Sequence, residues 1–152
     1  MKKFEFTGET KTISLFFRTA TLHRIRAVAE FGLVKVGDLG GWIEKEENLS
    51  HEGKAWVCGD AKVCGDAEVF SASHVLVIGA IGSRDDFTTF FRDKDNEITV
   101  KCGCFLGKID KFLEKVTQTH GDSKYALVYR AAVEVARLQI DLSCEAPKDA
   151  DE

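Results

Sequence analysis

The sequence predicts an α+β fold: an N-terminal β-rich segment with a short hexapeptide, β-helix-like coil, then a β-hairpin and two C-terminal helices. Three observations carry this expectation. Period-two alternation recurs through residues 4–43, a six-residue repeat occupies residues 55–78, and a strand–turn–strand pattern with two helical stripes follows residue 86. The chain has 152 residues, 44% of them hydrophobic and 30% charged, enough apolar material for a core and too much for wholesale disorder. No apolar run reaches the roughly 18–20 residues of a membrane span, and MKKFEFTGETK lacks a signal peptide's apolar stretch. A soluble, intracellular protein is expected, with three regions: 1–83, β-rich with the repeat; 84–142, the hairpin and two helices; and 143–152, a disordered acidic tail.

The elements follow in order. Phe4-Glu5-Phe6, Ile13 to Phe17 and Leu22 to Val28 read as short strands broken at Gly8, Gly32 and Gly37, and Gly37 to Trp42 (GDLGGW) as a turn needing positive φ. The hexads are Ala55 to Asp60, Ala61 to Asp66, Ala67 to Ala72 and a degenerate Ser73 to Ile78. In this pattern Val packs inward and Gly-Asp makes the corner. Three hexads complete one coil, so the segment must lean on other parts of the chain or on another subunit. His51 and His74 flank the repeat, as a hexapeptide acyltransferase would require, but one coil offers little wall for an acyl donor, and a structural role is the better reading.

Val75 to Ile81 is a strand, and Phe87 to Arg92 with Glu97 to Cys102 form a hairpin across the turn Asp93 to Asn96. Ile109, Phe112, Leu113 and Val116 make a one-sided helical stripe closed by His120-Gly121. A second helix opens at Asp122 or Ser123 and runs to about Leu142. Its apolar residues, Tyr125, Leu127, Val128, Ala131, Ala132, Val135, Leu138, Ile140 and Leu142, spread over more than one face, which points to burial on two sides, the second against another subunit.

Charge and thiols restrict function. The net charge is −4, and residues 145–152 contribute four acids against one Lys. Residues 1–43 carry seven bases and four acids, residues 44–83 three and seven, and residues 84–144 ten and ten. That balance argues against a nucleic-acid coat, which runs on excess Lys and Arg, but not against a small enclosed anion site. The five Cys lack zinc-knuckle spacing, and Cys102 and Cys104 form CxC rather than a redox CxxC, so reduced thiols and no metal site are expected. Cys58 and Cys64 stand one hexad apart with no role that sequence assigns.

The densest chemistry lies in Gly82 to Arg92, with Arg84, Asp85, Asp86, Phe87, Thr88, Thr89, Phe90, Phe91 and Arg92. On a strand Thr88, Phe90 and Arg92 share one face and Phe87, Thr89 and Phe91 the other, which sets a ring beside a guanidinium. Such a pair suits a nucleotide, although alternating Phe residues also serve as core and Arg-Asp loops as solvated ion pairs. Lys101 lies on the partner strand, Lys124 in the first turn of the last helix and His120 at the end of the helix before it. Arg24 and Arg26 project from one strand face, as a second nucleotide site or a hydrated surface.

Taken in order, LHRIRA (22–27), GDLGGWIE (37–44), the Ala-x-Val-x-Gly-Asp hexads, IGAIGSRDD (78–86), CGCF (102–105) and THGD (119–122) resemble phage and prophage proteins. The C-terminal half is similar to the Thoeris anti-defence 1 family of signal sponges. The resemblance implies a binding protein in the host bacterial cytoplasm that sequesters cyclic ADP-ribose isomers (glycocyclic ADP-ribose) intact, so that Thoeris immunity is never triggered. It also implies cyclic trinucleotide binding at separate sites, relevant to CBASS immunity, and symmetric dimers gathered into hexamers. No cofactor, membrane, or DNA or RNA duplex is implied. Laying ligand chemistry over the matching block assigns Arg84 and Arg92 to phosphate, Phe87 or Phe90 to stacking, and Asp85 and Thr88 to ribose or base edges. Lys101 and Lys124 are supporting cations, with Arg24 and Arg26 the second site. Two other classes stand beside this reading: an enzyme degrading a cyclic nucleotide through Asp85, Asp86 or His120, and a ligand-free structural oligomer.

Overall fold

The structure is a computed structural model and describes residues 2–143, so the expected acidic tail lies outside the described residues from 144 onward. The first sheet has the order β1 (Phe4–Ser14), β2 (Thr19–Ala27), β3 (Leu39–Ile43), β4 (Lys62–Val63). The second has the order β5 (Val75–Ile81), β6 (Asp86–Arg92), β7 (Ile98–Cys102), β8 (Phe105–Lys108), and α1 (Ile109–His120) and α2 (Lys124–Gln139) follow it. This is the expected α+β layout. None of these helices is long and apolar enough to cross a membrane.

Gly8 does not end a strand. β1 runs through it, and Gly8, at φ 95°, takes up the register irregularity between Phe6 and Thr10. Phe16 and Phe17, expected in a strand, instead occupy the turn between β1 and β2, where the Leu15 N–H donates to the Arg18 carbonyl at 2.8 Å. GDLGGW is a turn only at its start. Gly37 has φ 92°, but Gly40 and Gly41 lie in β3, where the hexad backbone comes too close for a side chain. A Cβ on Gly40 would stand 2.7 Å from the Val57 carbonyl oxygen, and one on Gly41 2.8 Å from that of Ala61.

The hexads turn as expected. Val57, Val63 and Val69 are buried, together with Ala55, Ala61 and Ala67, and Gly59 and Gly65 make the corners at φ 54° and 63°. The coil leans on β3 in parallel register, Trp42 opposite Lys62 and Ile43 opposite Val63. The degenerate fourth hexad leaves the coil: Ala72–His74 form a 3-10 turn and Val75 opens β5, antiparallel to β6. The second sheet therefore begins at Val75, inside the region expected to end at residue 83. Neither flanking histidine faces a cleft. The His51 ring stacks on Phe4, and buried His74 accepts the Phe70 N–H through Nδ1. Cys58 is exposed, whereas burial pushes the Cys64 thiol up to about 11 in a small cluster with Leu22 and Trp42.

Strand β6 divides two cores. Phe90 packs with Val100, Phe112 and Val133 under the helices, while Phe91 packs with Phe4, Ile43, Val57 and Val63 on the coil side. The period-two alternation thus holds with both faces buried. The hairpin turn is tied by Asp93, whose carboxylate accepts from the Asp95 and Glu97 N–H groups, the Thr99 hydroxyl and the Lys108 ammonium.

α1 matches its stripe, with Ile109, Phe112 and Val116 buried and Gly121 capping it at φ 56°. α2 opens after Ser123 as expected but ends at Gln139, with Ile140 as its cap. Of the apolar residues expected on more than one face, Ala132 and Ile140 are buried, with Ala126, Tyr129, Val133 and Ala136, whereas Leu127, Val135 and Leu138 are exposed. Small alanines let the helix approach the sheet closely, so the larger aliphatic residues form an outward stripe.

Candidate functional site

A cleft of about 170 Å³ opens where α1, α2, the loop between β5 and β6, and the turn between β7 and β8 converge. Its apolar wall comes from Phe105, Phe112 and Tyr129, with centroids 5.4 Å apart for Phe105–Phe112 and 5.7 Å for Phe112–Tyr129. His120 continues that wall, its ring 5.7 Å from Tyr129. Phe112, Lys115, Val116, Thr119 and His120 reach the cleft together because they recur at i, i+3, i+4, i+7 and i+8 along α1. From the second sheet come Asp86, Thr88 and Cys102, from its loops Ser83, Arg84 and Cys104, and from the first turn of the chain Phe16.

Two cations in the cleft, Arg84 and Lys115, form no ion pair among the described residues; Lys115 lies 4.8 Å over the Phe16 ring. Opposite them is one carboxylate, Asp86, whose Oδ1 already accepts the Phe87 N–H at 2.7 Å. The cleft therefore carries an excess of positive charge within an acidic chain. Tyr129 supplies a hydroxyl at its floor; burial first, and then the neighbouring Cys102, push its pKa up to about 12. The Thr88 hydroxyl, at 3.4 Å, donates to Cys102 Sγ.

Of the residues expected to bind ligand, Arg84 and Thr88 line the cleft and the others do not. Phe90 is fully buried and presents no face to a ligand. Phe87 lies over Gly79 of β5, which leaves no room there for a Cβ. Asp85, at φ 48°, is exposed and outside the cleft, so it and Asp86 do not converge as an acid–base pair. Arg92 sits at the far end of β6, where it donates to Asn96 and the Glu68 carbonyl and lies 4.6 Å over the Phe70 ring. Lys101 is buried, its pKa lowered by that burial; its Nζ donates to the Gly103 carbonyl and holds the CxC turn from behind. Lys124 is exposed at the start of α2, away from the cleft.

The proposed second site is not assembled. Arg26 is held by Glu5 at 2.6 Å across the β1–β2 pair, and Arg24 reaches Glu9 at 3.4 Å and the Gly40 carbonyl at 3.4 Å. Both guanidinium groups are compensated from within the sheet. Sequence reasoning missed Phe16, Lys115, Phe105, Phe112 and Tyr129 as cleft residues. The signal available for Lys115 was its place one turn after Phe112 on the stripe; nothing local marks Phe16, because the two halves of the chain meet only in the fold.

The loop that carries Arg84 depends on Gly82, at φ 79°, which lies against the Tyr129 hydroxyl where a Cβ would collide. Gly82→Ala is therefore expected to cost about 1–3 kcal/mol of stability, through strained backbone and overpacking, and to displace Arg84. Urea unfolding measures the first effect. No family model matches the chain, and no curated protein matches its sequence.

Proposed function

We propose that the protein is a phage anti-defence sponge, acting in the host bacterial cytoplasm, that binds cyclic ADP-ribose isomers and holds them intact, blocking Thoeris immunity. The observation that carries this reading is the pair Arg84 and Lys115, without carboxylate partners among the described residues, in a cleft walled by Phe105, Phe112, Tyr129 and His120. Such a ligand offers a diphosphate for the cations and an adenine for the rings, with ribose hydroxyls for Ser83, Asp86 and Thr119. A sponge must outcompete a receptor for a scarce signal, which needs nanomolar affinity, about −12 kcal/mol.

A homo-oligomer belongs to the same proposal. At about 170 Å³ the cleft of one chain is smaller than the roughly 300–1,000 Å³ of small-molecule sites. The outward stripe Leu127, Val135 and Leu138 on α2 gives a second copy an apolar surface to cover, and Tyr125, at the N-terminal end of α2, touches His120 of the cleft, ring to ring at 5.7 Å. A dimer, gathered into a hexamer, would complete the enclosure. Cyclic trinucleotides, and with them CBASS signals, are a further ligand class, although no site for them is supported at Arg24 and Arg26.

The test is to mix the full chain with cyclic ADP-ribose isomers, isolate the complex, heat it and analyse what is released. Unchanged ligand supports the sponge; linear ADP-ribose favours an enzyme; no bound ligand leaves the structural oligomer. Arg84→Ala is expected to weaken binding by about 2–5 kcal/mol if its charge is buried against phosphate, with an unchanged sedimentation coefficient. Calorimetric titration at wild-type affinity would show the ligand to lie elsewhere.

A further inference from the structure

We infer that Phe16, from the N-terminal half of the chain, caps the cleft and sets its specificity for a ligand that carries a nucleobase. The inference rests on the nucleotide-binding reading of the cleft and adds what part of the ligand is selected and by which residue. Phe16 is 65% exposed, and an exposed phenyl alone is unremarkable on a protein surface. Its attachment is less ordinary. The Phe16 N–H donates to the Cys104 carbonyl at 3.0 Å, fastening the turn between β1 and β2 to the CxC turn that forms the cleft's edge.

The turn is fixed from behind as well. Leu15 is buried, and Arg18 makes two bonds to the Glu44 carboxylate, at 2.7 and 3.0 Å. Glu44 in turn accepts the Gly65 N–H of the hexad corner at 2.8 Å. Phe16 is thus held at the mouth by a rigid support while its ring stays open to solvent, beside the Lys115 ammonium. A fixed, solvated aromatic face next to a free cation suits a base linked to a phosphate: the base stacks on the ring and the phosphate meets Lys115 and Arg84. Phe17, the next residue, lines a different cavity, so the cap is one ring wide.

The full chain, wild type and variants, is titrated calorimetrically with cyclic ADP-ribose, AMP and inorganic pyrophosphate, the last a probe with phosphates and no base. Phe16→Ala should weaken cyclic ADP-ribose and AMP about tenfold or more, as loss of one base stack implies, and leave pyrophosphate unchanged. Phe16→Trp should restore the nucleotide affinity, and its indole fluorescence should be quenched by AMP and not by pyrophosphate. Nucleotide affinity unchanged in Phe16→Ala, while Arg84→Ala loses it, would overturn the cap and leave the site reading intact. An equal loss for pyrophosphate would also overturn it, because Phe16 would then act only by holding Lys115. A wild-type chain that binds none of the three probes overturns both.

Discussion

Phe90→Ala is expected to lower the unfolding free energy by about 3–5 kcal/mol, as truncation of a buried Phe does when its surroundings cannot collapse into the space. The ring is fully buried at the centre of the helix-side core, 6.5 Å from Phe112 and nearly perpendicular to it. Its neighbours are held by a sheet on one side and by two capped helices on the other, so little can move inward. Urea denaturation of the variant gives the number directly. A loss below about 1 kcal/mol would mean that the helices do not bear on β6 as described. The same experiment separates the two roles sequence allows for Phe90: a stacking residue in an open site would change ligand affinity and leave the midpoint where it was.

The second large effect is expected at Asp93. Its carboxylate is almost fully enclosed, 1% exposed, and binds the Lys108 ammonium at 2.8 Å and the Thr99 hydroxyl at 2.7 Å as well as two backbone N–H groups. Burial works against the charge, but these four bonds outweigh it and hold the carboxyl below its ordinary 3.8. Asp93→Ala strands Thr99 and the two amides and leaves Lys108 to Asp95 and Glu97, a cost of about 3 kcal/mol. The sign with pH follows from the lowered pKa. The stabilisation is fully present above the ordinary carboxyl value and is lost as pH falls through the folded one. Thermal melting of the wild type should therefore drop steeply below about pH 4, and the drop should be shallower in Asp93→Ala. Equal slopes would place the acid-sensitive group elsewhere.

Much of the architecture was legible because it rests on local rules. The hexads announced their inward Val and glycine corners, the alternation of Phe87 to Arg92 its two faces, and Ile109 to Val116 its helix. What misled was contact between distant segments. Gly40 and Gly41 look like turn residues, but glycine is needed there because the coil backbone passes within a side chain's radius. On α2 large aliphatic residues look like core, yet Ala126, Ala132 and Ala136 face the sheet because closeness, not size, wins at that interface.

The candidate site was legible at Arg84 and Thr88 and little further. Phe90 and Lys101 have the right chemistry for a ligand but are consumed by packing and by the Gly103 carbonyl, and Arg24 and Arg26 by acidic neighbours across one strand. A free cation is recognised by what does not pair with it, which composition cannot show. Lys115 and Phe16, about a hundred residues apart in sequence, meet only through the fold.

Strand β6 gives one face to each of the two cores, and this makes the chain a single cooperative unit despite its two sheets. Neither half owns a complete interior. Severing the chain near residue 83 would strip Phe91 from the coil side and β5 from the strand it pairs with, exposing two apolar surfaces at once. The amides of Phe90 and Phe91 can then exchange with solvent only when the whole molecule opens, and the hexad coil, too short to stand as a solenoid, borrows its order from the same event.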